Sequence, residues 1–316
     1  MRRVALIYNP ASGQKSGRRE RVIRKALEVL RKAGMEAEAL ETDAPGSART
    51  LTRAAVRSGY DTILACGGDG TVHEVLQCLV GTSVALGVVP LGTANALAQN
   101  LGLGRSPVKA VRKLLSAVPT EVPAGRIFYR DNLGAEHSRY FTVAAGIGAD
   151  ALMMSRLDVK LKRRFGYALY LLEAFRVWAT SSFPLFEVVF TLPDATAPRT
   201  EFVSQLLAVR VRSFGGVLGK LAPGATVHSS TLSLVAFKTR SRLRYLQFLL
   251  AVVAKRHTFG GDIELIEALA VQCRTRNGSH RRIHVEADGE VLGILSARME
   301  ITEERVMLLV PLGANP

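Results

Sequence analysis

The run Gly67-Gly68-Asp69-Gly70-Thr71 narrows the fold more than any other segment of this chain. Before it stands Thr62-Ile63-Leu64-Ala65-Cys66, a short unbroken apolar run that reads as a strand buried on both faces. After it, Val72, Val75, Leu76 and Leu79 recur at helical spacing. Three glycines at a strand-to-helix junction let the backbone approach a ligand closely, and the amides of a helix N-terminus attract anions. An aspartate in such a loop would repel bare phosphate, so a divalent cation or a transferred proton is expected beside it. The plain alternative is a glycine-rich turn with a capping aspartate.

The pattern around this loop repeats it. Strand-like runs at residues 4–8, 37–40, 62–66 and 84–89 alternate with helical spacing at 18–33, 47–58 and 71–80. That alternation predicts a parallel, Rossmann-like α/β sheet, with its ligand side at the carboxyl ends of the strands. Thr93 is a candidate N-cap for the next helix, and Ser106-Pro107 pairs a cap with a first-turn proline. Beyond Pro123 strand-like runs dominate: 139–143, 186–191, 202–211, 232–237, 263–271, 283–287, 292–299 and 306–310. Helical stretches are expected only at 157–180 and 242–255. This predicts an antiparallel β-sandwich at 123–316 after an α/β domain at 1–122, with a linker near 118–125 and the last residues returning to the first domain. No internal repeat or low-complexity segment is visible.

Charge is the compositional outlier. The 42 Lys and Arg against 27 Asp and Glu give a formal +15, which calls for an anionic partner, nucleic acid or a membrane surface. Lys160, Lys162, Arg163 and Arg164 precede an aromatic stretch from Phe165 through Phe175 to Trp178. A basic approach to an apolar helix suits an interfacial membrane contact, and equally a solvated cluster on an ordinary core helix. No apolar run reaches the ~18 residues of a bilayer span. Residues 4–8 are too short for a signal peptide, and three cysteines without CxxC spacing suit a reducing compartment. The expectation is a cytoplasmic protein.

Four loops at strand ends offer hydroxyls, amides and backbone donors: Asn9-Pro10-Ala11-Ser12-Gly13, Glu41-Thr42-Asp43, the 67–71 loop, and Pro90-Leu91-Gly92-Thr93-Ala94-Asn95. Four in succession favour a phosphate and nucleoside site. Gly13-Gln14-Lys15-Ser16 is not a P-loop, because Gln14 separates glycine from lysine and Tyr8 takes the earlier glycine position. His73-Glu74-Val75-Leu76-Gln77 lacks the second histidine of a zinc helix. Near the C-terminus, Glu286-Ala287-Asp288-Gly289-Glu290 reads as a hairpin turn, with Glu290 as a candidate general base.

Taken in order, the Asn9–Gly13 run, the 67–71 loop, the 90–95 loop and Asp288-Gly289-Glu290 resemble the bacterial diacylglycerol kinase and lipid kinase family, relatives of sphingosine and ceramide kinases. The resemblance covers essentially the whole chain. It implies an ATP- and Mg²⁺-dependent lipid kinase with its active site in the cleft between the two domains, and a membrane-associated lipid, most simply diacylglycerol, as acceptor. It also implies that Thr42, Thr93 and residues 68–74 (Gly68, Asp69, Gly70, Thr71, Val72, His73 and Glu74) hold ATP, with Asn9, Ser12, Gly67, Gly92 and Asn95 beside them. Asp69 would sit near the phosphates and the catalytic Mg²⁺, with Asp288 a further candidate ligand. Glu290 would accept the proton of the lipid hydroxyl; Asp69 competes for that role. Residues 141–150 resemble the strand-turn that lines the family's cleft.

Departures from the family pattern accompany it. Pro223-Gly224-Ala225-Thr226-Val227 leads into His228-Ser229-Ser230, where the family carries acidic ligands for a structural Mg²⁺, and Ala96 and Pro123 stand where aspartates are frequent. These losses fit one another, since carboxylates gathered without their cation repel. The structural Mg²⁺ is accordingly expected to be absent at Ser229. Alternatives are a sphingosine- or ceramide-type kinase, a nucleotide- and lipid-binding pseudokinase and, from another substrate class, NAD kinase, whose Pro-Thr-Gly-Ser-type segment is missing here. Binding of nucleic acid would explain the charge but not the four loops, and is not expected; a homodimer is left open.

Overall fold

The computed structural model describes residues 1–10, 16–157, 167–214, 221–254, 260–276 and 282–314. The chain forms two compact units, residues 1–124 together with 303–316, and residues 125–302.

The first unit is an α/β layer structure. In chain order it contains β1 (Arg3–Tyr8), α1 (Ser16–Lys32), β2 (Glu36–Glu41), α2 (Ser47–Arg57), β3 (Thr62–Gly67), α3 (Asp69–Leu79), β4 (Ala85–Pro90), α4 (Ala96–Asn100) and α5 (Pro107–Leu114). The strands lie in the order β2-β1-β3-β4 and all pair in parallel. Every residue of β3 and β4 is buried, as expected for strands covered by helices on both faces. Helix α2 packs on α3, and α1 on α5. Because β2 and β3 flank β1 on opposite sides, the connections leaving β1 and β3 part in opposite directions. In such sheets the ligand crevice opens at the carboxyl ends of the two strands where the order reverses.

Strand β5 (Val118–Arg130) leads into the second unit, which holds β6 (Glu136–Phe141), β7 (Ala144–Gly148), α6 (Ala149–Arg156), α7 (Tyr167–Thr180), β8 (Phe186–Thr191), β9 (Arg199–Val203), β10 (Gln205–Val209), β11 (Leu232–Phe237), α8 (Arg242–Val253), β12 (Ile263–Ala268), β13 (Ala270–Thr275), β14 (His284–Ala287) and β15 (Glu290–Val310). One antiparallel layer runs β12-β11-β10-β7-β14-β15, and a second runs β9-β8-β13-β15. Phe186, Val188 and Phe190 from the second layer meet Leu206, Ala208, Leu232 and Leu234 from the first in one apolar core. The two layers share β15, whose early residues pair with β14 and whose Ala297–Glu300 stretch pairs with β13. Its last residues belong to the first unit, where Met307 and Leu308 lie parallel to Ala85 and Leu86 of β4.

Several local expectations are corrected. The segment expected as a linker near 118–125 is the start of β5; its prolines read as loop, yet Val122 and Ala124 are fully buried. The run 263–271 is two strands, because Leu269 turns the chain from β11 toward β8 and its N–H reaches Thr191 O at 2.8 Å. Residues 292–299 and 306–310 are one strand, not two. Asn95, not Thr93, caps the helix after β4. Helix α7 begins at Tyr167, helix α6 was not anticipated, and the basic cluster at 160–164 lies outside the described residues.

Candidate active site

In the first unit the residues that follow β1 and β2 stay tied to the neighbouring strands at the carboxyl end of the sheet. The Asn9 N–H donates to Cys66 O at 3.3 Å, and the Thr42 N–H to Tyr8 O at 2.9 Å. Thr42 itself is buried. Beside it, the Tyr8 hydroxyl donates to Glu41 Oε2 at 2.5 Å. Burial, helped by that bond, pushes the Tyr8 phenol up to about 12. Ser12 lies outside the described residues.

The 67–71 and 90–95 loops touch backbone to backbone. A Cβ added at Gly92 would lie 2.4 Å from Gly68 Cα and 2.9 Å from Asn95 Oδ1, so this contact requires glycine. A Cβ at Gly67 would fall 2.3 Å from Thr71 Oγ1, because the Thr71 side chain folds back over it. The Leu91 N–H donates to Gly67 O at 2.8 Å. Asn95 sits in the left-handed region at φ 49°. Its Oδ1 accepts from Gly92 N at 2.9 Å and its Nδ2 donates to Gly92 O at 2.8 Å, which curls the loop into a closed turn.

Asp69 ties the two loops together. Its Oδ2 accepts the Asn95 N–H at 3.0 Å and its Oδ1 the Ala96 N–H at 2.8 Å, so it closes the start of α4 while standing in the first turn of α3. The N-cap of α3 is Gly68, which brings no side chain to its own helix. The first-turn amides have no intrahelical acceptor and the helix dipole adds positive potential there, so this end of α3 is suited to a phosphate. Thr93 is exposed beside it. The next residues of α3 also make contacts within the scaffold. The Val72 N–H closes onto Gly68 O, His73 is fully buried, and Glu74 accepts the Gly46 and Ala48 N–H groups at 3.0 and 3.2 Å, capping α2. Asp69→Ala strips the Asn95 and Ala96 amides of their acceptor; the expected loss is about 1–3 kcal/mol of stability, read from the thermal midpoint, with weakened ATP binding.

In the second unit β14 and β15 are joined by Asp288-Gly289, both at positive φ (49° and 82°), the signature of a two-residue type I′ turn. The hairpin reading and the site reading of this segment are therefore compatible, because the turn delivers Glu290, partly exposed, as the first residue of β15. Asp288 is buried and its carboxylate accepts three backbone N–H groups, from Thr142, Val143 and Ala144, at 3.1, 2.9 and 3.0 Å. These bonds latch the turn onto residues 142–144. Behind it lies Arg210, 1 % exposed, which donates to Val227 O at 2.6 Å. Burial lowers its guanidinium to about 10, an effect the Asp288 charge opposes. The Ser229 segment is closed by hydroxyls: Ser229 Oγ and Thr231 Oγ1 lie 3.0 Å apart, and Thr231 Oγ1 donates to Glu267 Oε2 at 2.6 Å. Sequence reasoning missed Arg210, and also Asp150 and Glu286, which sit within segments it quoted. An acidic residue within a buried strand, as Glu286 is in β14, was the available signal.

Mg²⁺ needs only one or two carboxylates when phosphates supply its other ligands. Among the described residues no cluster of three or more His, Cys, Asp or Glu could cage a metal. Asp69 could serve as the single carboxylate of a phosphate-bound cation, not of a protein-caged one.

A parallel α/β unit with a glycine–glycine loop contact is thus followed by a β-sandwich. The diacylglycerol kinase catalytic domain family matches residues 3–127, and the YegS C-terminal NAD kinase beta sandwich-like domain family matches residues 142–310. The chain belongs to the bacterial diacylglycerol and lipid kinase family, and its catalytic domain is that of a lipid kinase. It is 25% identical to a diacylglycerol kinase of Bacillus subtilis (strain 168) over 98% of this chain and 97% of the relative. It is 28% identical to a diacylglycerol kinase of Mycobacterium tuberculosis (strain CDC 1551 / Oshkosh) over 98% and 95%. A solved diacylglycerol kinase structure from Bacillus anthracis str. Sterne shares the fold with TM-score 0.71 at 18% identity, covering 99% of this chain and 98% of that one.

Proposed function

We propose that this lipid kinase transfers the γ-phosphate of ATP to the free hydroxyl of diacylglycerol, giving phosphatidic acid. The observation that carries the nucleotide half is the Gly68–Gly92 contact pinned by Asp69, which sets helix α3's amide-rich end beside the exposed Thr93. The acceptor is proposed from the relatives, both described as diacylglycerol kinases over nearly their whole length.

Phosphoryl transfer asks the protein for positioning and charge stabilisation more than for covalent chemistry. The α3 amides and the glycine loops would hold the phosphates, with Thr42 and Asn9 at the neighbouring strand ends. Asp69 would hold Mg²⁺ together with the phosphates, and the ion would supply positive charge against the phosphate oxygens. Glu290 would accept the hydroxyl proton. Both oxygens of Asp69 are occupied by amides, which suits a fixed negative point better than a group that exchanges partners in each turnover. Incubation with labelled ATP, Mg²⁺ and a lipid panel tests the acceptor. Label in phosphatidic acid supports the proposal; label only in a sphingoid or ceramide product, or in NADP from NAD, replaces it.

The membrane face is proposed on α7 and α8. Five of the eleven exposed large apolar residues among those described lie there: Leu172, Phe175, Leu243, Leu249 and Leu250. The Trp178 indole N–H donates to Arg242 O at 2.8 Å and joins the two helices, with Arg176, Arg240 and Arg242 exposed around them. Apolar side chains rimmed by arginines match an anionic bilayer. No described helix is long and apolar enough to cross a membrane. Replacing Leu243 and Leu250 together with Glu is expected to weaken sedimentation with phosphatidylglycerol vesicles at least about tenfold, at about 0.8 kcal/mol per buried CH₂ lost. Unchanged sedimentation would remove this face from the account.

A further inference from the structure

Behind the Asp288-Gly289 turn stands a pair of acidic side chains that the proposed reaction leaves unused. Glu286 in β14 is 3 % exposed. Asp150 lies in the first turn of α6, with its Oδ1 enclosed and without a hydrogen-bond partner among the described residues. The two carboxyls bond each other. They close over Gly146 of β7, where an added Cβ would fall 2.2 Å from Asp150 Oδ2 and 2.9 Å from Glu286 Oε1. Glycine is required there because the carboxyls fill the space of a side chain. The other oxygen of Glu286, Oε2, accepts the Gly289 N–H at 2.8 Å.

Two adjacent carboxyls away from water cannot both be ionised. The groups facing them increase that pressure. Asp288 on the turn adds negative charge beside Glu286. Tyr245 of α8, which bonds Ser204 Oγ at 2.8 Å, brings no positive charge to Asp150. Among the described residues, no Lys, Arg or His is paired with either carboxyl. Burial raises Asp150 to about 6 and lifts Glu286 well above the usual carboxyl range, with the Asp150 charge adding to the latter. One proton is therefore shared between the two carboxyls, while Glu286 Oε2 keeps the Gly289 amide.

We propose that Glu286, steadied by Asp150, is a positioning residue for Glu290, fixing the amide immediately before it and so the direction of its carboxylate. The proposal rests on Glu290 being the proton acceptor. A displacement of the base by an ångström is enough to cost turnover while leaving substrate affinity alone.

The test is steady-state kinetics on diacylglycerol in mixed micelles, together with infrared titration of the folded protein. Glu286→Ala is expected to lower kcat about tenfold or more, with KM for ATP unchanged. Glu286→Gln keeps an oxygen for Gly289 and an N–H for Asp150, so it is expected to restore most of kcat. Loss of the shared proton as pH rises sets two charges side by side; the wild type should fall in kcat on the alkaline side, and Glu286→Gln should not. The infrared spectrum of the wild type should show a protonated carboxyl persisting above the usual range, absent in Glu286→Gln, and this reading needs no activity and no Ala variant. Wild-type kinetics in Glu286→Ala, or a Gln variant as slow as Ala with an unchanged pH profile, would overturn the proposal, as would the lack of that carboxyl band. Glu290→Gln is the control: if it still transfers phosphate, the Glu290 reading fails and the positioning role with it. If Glu290→Gln is inactive while Glu286→Ala is normal, the positioning role alone fails.

Discussion

Glu290→Gln is expected to lower kcat for lipid phosphorylation by about 10²–10⁴-fold, the range lost when a positioned general base is removed. The substitution conserves shape. The turn before it is held by the positive φ values at Asp288 and Gly289 and by three amide bonds to the Asp288 carboxylate. Folding and ATP affinity should therefore remain at wild-type level, the second measured by calorimetric titration. If the variant turned over within about tenfold of wild type, the proton would have another acceptor, and Asp69 would be the first to test.

Gly92→Ala is the second large effect. The added methyl would stand 2.4 Å from Gly68 Cα and 2.9 Å from Asn95 Oδ1. Neither neighbour can give way: the first is backbone, and the second is held by two hydrogen bonds to Gly92 itself. The loops must separate, at a cost of about 1–3 kcal/mol typical of overpacking. Because the cost falls where the loops would hold phosphate, ATP affinity should drop at least tenfold, about 1.4 kcal/mol. Gly68→Ala provides a graded comparison: its Cβ would meet Gly92 Cα at 3.3 Å, so the effect should be smaller. Equal ATP binding in Gly92→Ala and wild type would show that this contact does not shape the nucleotide site.

The first unit was legible because β3 and β4 are short, fully buried and mainly apolar runs and the long helices carry their own spacing. The capping pair Ser106-Pro107 was legible for the same reason: local rules act on adjacent residues, and α5 does start there. What escaped depends on partners far apart in the chain. Nothing near Leu269 says that the chain changes partner strands there, and nothing near Val118 says that its prolines sit in a strand. The candidate site shows the same division. The glycine loops and the Asp288-Gly289-Glu290 segment stood out as motifs. That Asp69 would hold Asn95 and Ala96, that Glu74 would cap α2, and that Asp288 would grip residues some 145 positions away are outcomes of packing.

The central claim, that this chain performs lipid phosphorylation rather than merely binding its substrates, is tested most directly by following label from the γ-phosphate of ATP into organic-extractable lipid, with diacylglycerol and Mg²⁺ present. The account predicts Mg²⁺-dependent label in phosphatidic acid for the wild type and none above background for Glu290→Gln. ATP binding without label in any lipid would contradict it, and would make the chain a nucleotide-binding pseudokinase.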